Sequence, residues 1–484
     1  MSDNVKTLIF AGIAVVVTIL AVATYPRQAR MAPKEDEGKV LFAEFTDPEQ
    51  ANRIAITHVT GRAQTGLAAV SQGEEAADVR VFELARDGQT WTLPSHDNFP
   101  VAAEQRIRQA ATSLIGLEVI RVASEFESHF RQYGVIEPKA DGVNAGQDGV
   151  GKLVTIKDEN ANELAALIIG HSVRGQKGQR FVRVPGQNRV YTVKFDPRVY
   201  SVKFEDWIQP RLLSLRPTDV SRFSIDDYSA QQRFRAIDNK PEMLMHKRLK
   251  ALIGWNLDAS EGWDTAAWSL LKLVEFSGGE YRETQLADDE ELDRQRIEQL
   301  ARTLSSFGIV SAKRKPTGLS ADVTADPQKL LDPAIGQSLA GSGFFTKMEA
   351  GQPGLVAASG ELTVQTHRWV VYHLRFGGVA GFGGGGAGGK LNRFLMIHAR
   401  LADDEAFEGE GVSAEDIKER KQLAAAEVEK LNEQFADWYF IISDDTFRQI
   451  RLGRSDLIKE KDSAADEGFN IDAFRELERR GIGE

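Results

Sequence analysis

An uncharged, largely apolar stretch from Thr7 to Thr24 constrains this chain more than any other feature of its sequence. As a helix, this stretch would rise about 27 Å, close to the roughly 30 Å of a bilayer's hydrocarbon core. The chain after Ala32 is too polar to enter a membrane again. The sequence therefore predicts a short tail (residues 1–6), one transmembrane anchor (7–24) and a linker (25–39) ahead of a long folded body.

The orientation of this anchor depends on the charges that flank it. Lys6 precedes the apolar stretch, whereas Arg27, Arg30 and Lys34 follow it. By the positive-inside rule, this difference weakly favours a cytoplasmic body. The alternative to an anchor is a cleaved signal peptide, because Ala21-Val22-Ala23 places small residues as a cleavage site does.

The overall composition excludes several classes of function. The formal charge of −11 argues against a nucleic-acid partner, because such proteins carry a basic surface. The chain contains no cysteine, so disulfides, thiolate metal sites and thiol nucleophiles are impossible. With 42 % hydrophobic residues, the part that follows the linker is long enough for two or three domains.

Beyond the linker, short alternating strands and isolated helices predict an α+β fold. In residues 53–59 the apolar side chains of Ile54 and Ile56 fall on one face, which is typical of a half-buried strand. Residues 101–117 instead place their apolar side chains on one helical stripe, formed by Ile107, Ala110, Ala111, Leu114 and Leu117.

Groups of residues from the first half of the chain recur in the same order in the second half. The clearest match is in the helix, where residues 105–114 align without gaps on residues 295–304. The other matches are Pro48, Arg53 and Ile56 with Pro217, Arg222 and Ile225; Trp91 with Trp255; Leu117 and Val119 with Phe307 and Ile309; Thr155 and Ile156 with Thr363 and Val364; Leu167–Gly170 with Leu374–Gly377; and Tyr191 with Tyr439.

This recurrence indicates an internal duplication. We expect two related lobes of antiparallel sheet with packed helices, at residues 40–208 and 212–457, and a charged tail at 458–484. The second lobe carries insertions, including a glycine-rich run at 377–389, expected to form a hairpin tip. A charged helical stretch at 401–435 has an apolar stripe that we expect to pack on its own lobe, formed by Ala424, Val428, Leu431, Phe435 and Trp438.

Several short motifs resemble the bacterial domain-of-unknown-function 4340 family. They are Arg53-Ile54-Ala55-Ile56, Trp91-Thr92-Leu93, Tyr133-Gly134-Val135, Leu167-Ile168-Ile169-Gly170, Phe181-Val182-Arg183-Val184 and Val190-Tyr191-Thr192-Val193. A later block, with Gly360-Glu361-Leu362 and Val371-Tyr372-His373-Leu374, is similar to long planctomycete-type members. The resemblance implies an N-terminal anchor, an extracytoplasmic body and an association with components of gliding-motility-type ABC transporters. It therefore favours a periplasmic body, against the flanking charges, and it transfers no catalytic residues.

Two short motifs partly match the patterns of phosphate-binding loops and serine hydrolases. Residues 384–390 satisfy Gly-x-x-x-x-Gly-Lys, but Leu391 stands where a phosphate loop needs Ser or Thr for magnesium. A match of this kind is expected by chance in so glycine-rich a run. Gly341-Ser342-Gly343 is not the Gly-x-Ser-x-Gly turn of a serine hydrolase. Neither motif predicts a cofactor or a nucleophile.

Two further groups of polar residues are candidate binding sites. His367 and His373 lie six apart on a predicted strand beside Trp369 and Arg375, and a metal would need a third ligand such as His398 or Glu361. Surface histidines are the simpler interpretation. Arg174, Lys177, Arg180 and Arg183 form one basic hairpin, which would meet anionic lipid or an acidic partner unless it is merely solvated.

No catalytic, cofactor-binding or metal-binding residue is therefore assigned from the sequence. We expect a non-catalytic protein of the inner membrane, with a single span, that serves as a scaffold or accessory subunit of an ABC-type transport system and contacts its permease or auxiliary subunits. The alternatives are a periplasmic glycan- or peptide-binding module, and then a hydrolase. A cleft between the lobes that is lined with aromatic residues would favour the binding module. A flat, exposed apolar patch would favour the scaffold. A cluster of carboxylates and histidines would favour the hydrolase.

Overall fold

The computed structural model describes residues 35–60, 78–139, 148–208, 211–213, 215–234, 241–256, 267–349, 351–383, 390–403 and 413–461. The proposed anchor at residues 7–24 lies outside these ranges. Within them, no helix combines the length and the apolar character that a membrane span requires. The fold is mixed α+β with two large antiparallel sheets and several helices, as the sequence predicts.

The first lobe contains a nine-stranded sheet in the order β4-β3-β2-β1-β6-β7-β8-β9-β5. Its strands are β1 (Arg53–Thr60), β2 (Asp78–Asp87), β3 (Thr90–Leu93), β4 (Phe99–Pro100), β5 (Val119–Ser124), β6 (Lys152–Lys157), β7 (Glu163–Ser172), β8 (Gln179–Arg183) and β9 (Val190–Lys194). Two helices complete the lobe, α1 (Glu104–Thr112) and the single turn α2 (Phe130–Tyr133).

The second lobe contains another nine-stranded sheet, in the order β13-β12-β11-β10-β18-β19-β20-β21-β15. These strands are β10 (Val220–Phe234), β11 (Pro241–Asn256), β12 (Ala267–Ser277), β13 (Glu280–Glu283), β15 (Ser311–Arg314), β18 (Glu361–Thr366), β19 (Val370–Gly383), β20 (Lys390–Leu401) and β21 (Trp438–Ser443). Two small sheets pair β14 (Glu290–Leu292) with β22 (Ile458–Glu460), and β16 (Phe344–Glu349) with β17 (Gln352–Ala357). The helices are α3 (Arg294–Ser306), α4 (Pro333–Gly341), α5 (Ala414–Phe435), α6 (Asp444–Ile450) and α7 (Arg454–Leu457).

The two large sheets share one topology. Strands that correspond in the repeat occupy the same positions in the two strand orders. For example, β1 and β10 share one position, and β9 and β21 share another. The register also agrees. Ile54 lies opposite Ile156 as Phe223 lies opposite Val364. The helices α1 and α3 both precede the edge strand, and the aligned residues Ile107 and Ile297 are both buried.

Some details of the sequence alignment are wrong. Trp91 lies on the third strand of its lobe, whereas Trp255 lies on the second strand, so these tryptophans are not equivalent. The predicted glycine tip at 377–389 is also too long, because β19 continues to Gly383. At the C-terminus, residues 458–460 of the expected tail instead form β22.

Each lobe also has a glycine that lets a helix end approach the sheet. A Cβ at Gly170 would lie 2.3 Å from the Tyr133 carbonyl oxygen, and one at Gly377 would lie 2.4 Å from that of Ser342. The residues that follow Tyr133 and Ser342 are Gly134 and Gly343. They have φ of +72° and +79°, which only glycine adopts readily. The match of Gly170 with Gly377 in the sequence therefore reflects a shared close approach of two backbone segments.

One hydrophobic core spans both lobes. It includes Ile54 and Leu114 from the first lobe and Phe223 and Phe435 from the second. Side chains at the junction of the two lobes are also fully buried, among them Trp207 of the first lobe and Leu213 of the second. Since burial of apolar surface is the main favourable term in folding, the two lobes stabilise one another. The stripe of α5 is confirmed in part: Ala424, Leu431 and Phe435 are buried and the helix packs on β20 of its own lobe, whereas Trp438 lies beyond the helix, on β21.

Candidate functional site

A group of ionisable side chains, called here the polar cluster, lies on the face of the second sheet opposite the core that spans both lobes. It consists of Tyr228, Lys315, Asp322, Glu361, His373, Arg375 and His398. The register brings its central members together, since Glu361 of β18 lies opposite Arg375 of β19, and His373 lies opposite His398 of β20. Opposite residues of an antiparallel pair project from the same face of the sheet. Asp322 reaches the cluster from the segment that covers this face.

Glu361 is the centre of the polar cluster. Its Oε1 accepts a hydrogen bond of 2.6 Å from the Tyr228 hydroxyl, and its Oε2 lies 2.6 Å from Nε2 of His373 and 3.5 Å from Nε of Arg375. Burial alone would raise the pKa of Glu361. The hydrogen bond with His373 and the charge of Arg375 outweigh burial and lower the pKa to about 2. Glu361 is therefore an ionised buried carboxylate.

His398 and Lys315 are the most desolvated bases of the polar cluster. The His398 ring packs edge-on against that of His373, with 4.9 Å between centroids, and its Nε2 lies 3.9 Å from Oδ2 of Asp322. Burial lowers the pKa of His398 below that of a free imidazole. Burial likewise lowers the pKa of Lys315 to about 8, and its Nζ donates a hydrogen bond of 3.4 Å to the Phe435 carbonyl.

The acids and bases of the polar cluster face one another. Its two carboxylates, Asp322 and Glu361, face the cations Arg375 and Lys315. Asp322 also accepts a hydrogen bond of 2.7 Å from the Thr324 hydroxyl. Because each acid already has a partner, these groups hold the covering segment on the sheet. Perturbed pKa values also occur at catalytic sites, so the polar cluster remains the place to test for chemistry.

The structure brings together only part of the predicted histidine set. His373 contacts both Glu361 and His398, the two residues named as possible third ligands. His367 does not join them, because β19 begins at Val370 and His367 belongs to the preceding turn, where Trp369 has φ of 59°. In the described ranges, no group of three or more His, Asp or Glu side chains is arranged to hold a metal.

The remaining sequence motifs have structural explanations or lie outside the described residues. Ser342 follows helix α4 and is fully buried, and its carbonyl accepts a hydrogen bond of 3.0 Å from Gly378 N. Residues 384–389 of the phosphate-loop match lie outside the described ranges, and Lys390 begins strand β20 rather than a helix.

The basic hairpin is smaller than the sequence suggests. Arg183 is buried, with its guanidinium 4.2 Å from the Phe130 ring centroid and a 3.0 Å hydrogen bond to the Val135 carbonyl. Arg180 donates a hydrogen bond to the Gly170 carbonyl. Arg174 and Lys177 are the exposed members of the four.

A cleft of about 460 Å³ lies between the two lobes. Its first wall is the segment Asn98–Ala102, its floor includes Ile208, Leu212 and Ile309, and its second wall holds Arg314 with the residues after the end of α5, including Trp438. The rings of Phe99 and Trp438 meet across it, with 4.7 Å between centroids.

Two strained residues help to form this cleft. Asp97 and Asn98 have φ of 54° and 61°, a conformation that costs free energy in residues other than glycine. This turn points the Asp97 carboxylate at the second lobe, where Oδ2 accepts a hydrogen bond of 3.0 Å from Arg314 N. The Arg314 guanidinium also forms a 3.0 Å ion pair with Asp437.

The chain that enters the first lobe is fixed along the edge strand β5. Gly38 N donates to the Val119 carbonyl at 2.8 Å, Val119 N donates to the Lys39 carbonyl at 2.9 Å, and Leu41 N donates to the Leu117 carbonyl at 2.9 Å. Asp36, within the predicted linker, forms an ion pair with Arg189 that lowers the pKa of Asp36. The linker is thus attached to the lobe from residue 36 onward.

Comparison with protein families supports the resemblance seen in the sequence. Residues 91–326 match the model of a domain of unknown function, DUF4340. The DUF4340 match covers just under half of the chain and runs from β3 of the first lobe to the segment that carries Asp322. The polar-cluster residues Glu361, His373 and His398 lie beyond it. Searches of curated proteins and of solved structures find no match to this chain.

Proposed function

We propose that this protein is a non-catalytic envelope protein, held to the inner membrane by residues 7–24, with a periplasmic body. In this proposal it serves as a scaffold or accessory subunit of an ABC-type transport system, in keeping with the long planctomycete-type DUF4340 proteins that its sequence resembles. Its partners would be the permease or the auxiliary subunits of that system.

The attachment of the linker to β5 carries this proposal. Only residues 25–35 separate the proposed anchor from Asp36, so the first lobe can lie no further than about 40 Å from the end of that anchor. Because one core spans both lobes, the second lobe is held near the membrane as well. Such an arrangement presents a rigid body at a limited height above the bilayer, which suits a subunit that contacts a membrane complex.

Affinity purification from membranes in mild detergent tests this proposal. We expect the full-length protein to recover an ABC permease or its auxiliary subunits, identified by mass spectrometry. A variant whose residues 7–24 are replaced by an unrelated membrane span serves as the control, and it should retain the partner if the lobes make the contact. Recovery of no transporter component by either protein would contradict the scaffold function.

The cleft between the lobes favours a second candidate function, that of a periplasmic binding module for a glycan or a peptide. Ligand sites are commonly concave, mostly apolar and equipped with a few polar groups, and they often lie between domains. The cleft has an apolar floor and two aromatic side chains, Phe99 and Trp438, with polar groups on its second wall.

We assign the polar cluster a structural role, which leaves the hydrolase as the least supported alternative. Both carboxylate oxygens of Glu361 already contact protein groups: Oε1 accepts from Tyr228, and Oε2 lies against His373 and Arg375.

A further inference from the structure

We infer that an acidic and partly apolar surface beside strand β5 binds a partner protein that presents an apolar pocket rimmed by lysine or arginine. This surface, called here the β5 surface, consists of residues 35–40, residues 118–127 and Arg189. It lies where the chain enters the first lobe from the proposed anchor. The inference rests on the proposed scaffold function and names the contact surface and the chemistry of the partner.

Exposed apolar side chains gather at the β5 surface. Among the described residues of the first lobe, four large apolar side chains are exposed, and three of them, Val40, Ile120 and Phe126, belong to this surface. Val40 forms an antiparallel bridge with Glu118, two residues before Ile120. The Phe126 side chain is 65 % exposed. Because covering a phenylalanine ring is favourable, a partner that buries Phe126 gains affinity.

The turn that follows β5 holds Phe126 in place. Phe126 N donates a hydrogen bond of 3.1 Å to Oγ of the buried Ser124, and this Oγ lies 2.8 Å from Nδ1 of His129. His129 N donates to the Phe126 carbonyl at 3.1 Å, and the two rings pack edge-on with 5.7 Å between centroids. Because the turn is already ordered, a partner that covers the ring loses little free energy to ordering it, as at the centre of an interface.

The second lobe uses the corresponding end of its edge strand as a contact. Ser124 ends β5 opposite the first residue of β9, as Arg314 ends β15 opposite the first residue of β21. In the second lobe this end meets the first lobe, because Arg314 N donates its hydrogen bond to the Asp97 carboxylate. In the first lobe the same end carries the exposed Phe126. The duplication therefore provides a second contact edge, open to another molecule.

The charges of the β5 surface select the chemistry of the partner. Its acidic residues, twice as many as its basic ones, are Glu35, Asp36, Glu37, Glu118, Glu125 and Glu127. Arg189 is already paired with Asp36 and Glu125. Glu118 and Glu127 are exposed and form no ion pair within the part of the chain that the structure describes. Such a surface repels anionic lipid and is complementary to lysine and arginine. The partner therefore combines a pocket for the ring with a basic rim.

Photo-cross-linking in the native host tests the inference. The photoreactive residue benzoylphenylalanine replaces Phe126 in the full-length protein or, as the control, replaces Val81, the exposed apolar residue of the first lobe outside the β5 surface. Cross-linked peptides are identified by mass spectrometry after irradiation. We expect position 126 to cross-link one membrane protein, at a segment that combines apolar residues with lysine or arginine, in at least fivefold higher yield than position 81.

Charge reversal decides whether the acidic residues of the β5 surface contribute to this contact. Glu118→Lys combined with Glu127→Lys should lower the yield of the cross-link from position 126 at least fivefold. The control combines Glu159→Lys with Glu205→Lys, which changes the net charge equally at exposed positions elsewhere on the first lobe, and it should leave the yield unchanged. All four side chains are exposed, so both variants should fold, and urea unfolding checks this.

Several results would overturn the inference. Position 126 could cross-link no more than position 81, only phospholipid, or only residues 25–34 of the same chain, and each result would exclude a partner protein at this surface. Equal yields in the two charge-reversal variants would show that the acidic residues of the β5 surface do not select the partner.

The membrane purification separates this inference from the scaffold function. A transporter component that is recovered equally by the wild type and by the variant with Glu118→Lys and Glu127→Lys would retain the scaffold and reject the β5 surface. A charge-sensitive cross-link from position 126 to a protein of another class would retain the β5 surface and reject the scaffold of a transporter.

Discussion

Replacement of Glu361 by glutamine should destabilise the protein in a way that depends on pH. The polar cluster lowers the pKa of this carboxyl from 4.5 to about 2, so the folded state binds its proton less readily than the unfolded state does. A shift of that size corresponds to about 3 kcal/mol of stability at pH 7. Glutamine keeps the shape of the side chain but not the charge that faces Arg375. We therefore expect Glu361→Gln to lose about 3 kcal/mol at pH 7.

The sign of the pH dependence follows from the direction of the shift. The stability that ionised Glu361 provides is present above the unfolded pKa of 4.5 and is lost as the pH falls toward 2. The difference between wild type and variant should therefore be nearly constant from pH 7 to 5 and fall to roughly 1.5 kcal/mol near pH 3. Urea unfolding followed by tryptophan fluorescence gives both values, with Glu429→Gln on the exposed face of α5 as the control. A difference below 0.5 kcal/mol at pH 7, or one that does not change with pH, would refute this account of Glu361.

Three further changes test other parts of the structure by the same unfolding measurement. Lys315→Met should remove a pH dependence of stability: because burial lowers the lysine pKa to about 8, the wild type should gain about 2 kcal/mol relative to the variant as the pH rises from 7 to 10, and a difference that does not change with pH would contradict the buried charge. Gly377→Ala should cost more than about 2 kcal/mol, because its Cβ would lie 2.4 Å from the Ser342 carbonyl oxygen. The control Gly336→Ala, in the open part of α4, should be neutral or stabilising. Equal effects of the two substitutions on the free energy of unfolding would be inconsistent with the close approach. Asn432→Ala should cost about 2 kcal/mol, since Asn432 makes two hydrogen bonds of 2.8 Å to the Ala399 main chain. A loss of stability no larger than that of the exposed control Asn188→Ala would argue against these hydrogen bonds.

The sheets and their main helices could be predicted because their signals are local. The stripe around Ile107 repeats around Ile297, and the match of Thr155 with Thr363 reflects the same position in the same register, opposite β1 and β10. The error at Trp255 has a physical cause. β11 is longer than β2, so Trp255 still lies within that strand, whereas Trp91 lies on β3.

The candidate sites were less predictable because they depend on contacts between distant segments. The sequence named Glu361, His373 and His398 together, and cross-strand register explains why they meet. Nothing local shows that Asp322 and Lys315 fold over the same face of the sheet, since both lie in a segment without regular strands at that point. The contact of Asp97 with Arg314 could not be predicted from the sequence either, because it depends on a turn with positive φ and on how the lobes pack.

The central claim is that a retained anchor holds a periplasmic body at the membrane. It is tested most directly by determining the mature N-terminus and the side of the membrane on which the body lies. Membranes from cells that express the full-length chain are washed with carbonate, the protein is measured by intact mass, and spheroplasts are treated with external protease. The proposal of a periplasmic body on a retained anchor predicts a carbonate-resistant protein that still contains residues 7–24, with a body that the protease digests. A soluble form that begins at Thr24, or a body protected from the protease in intact spheroplasts, would contradict it.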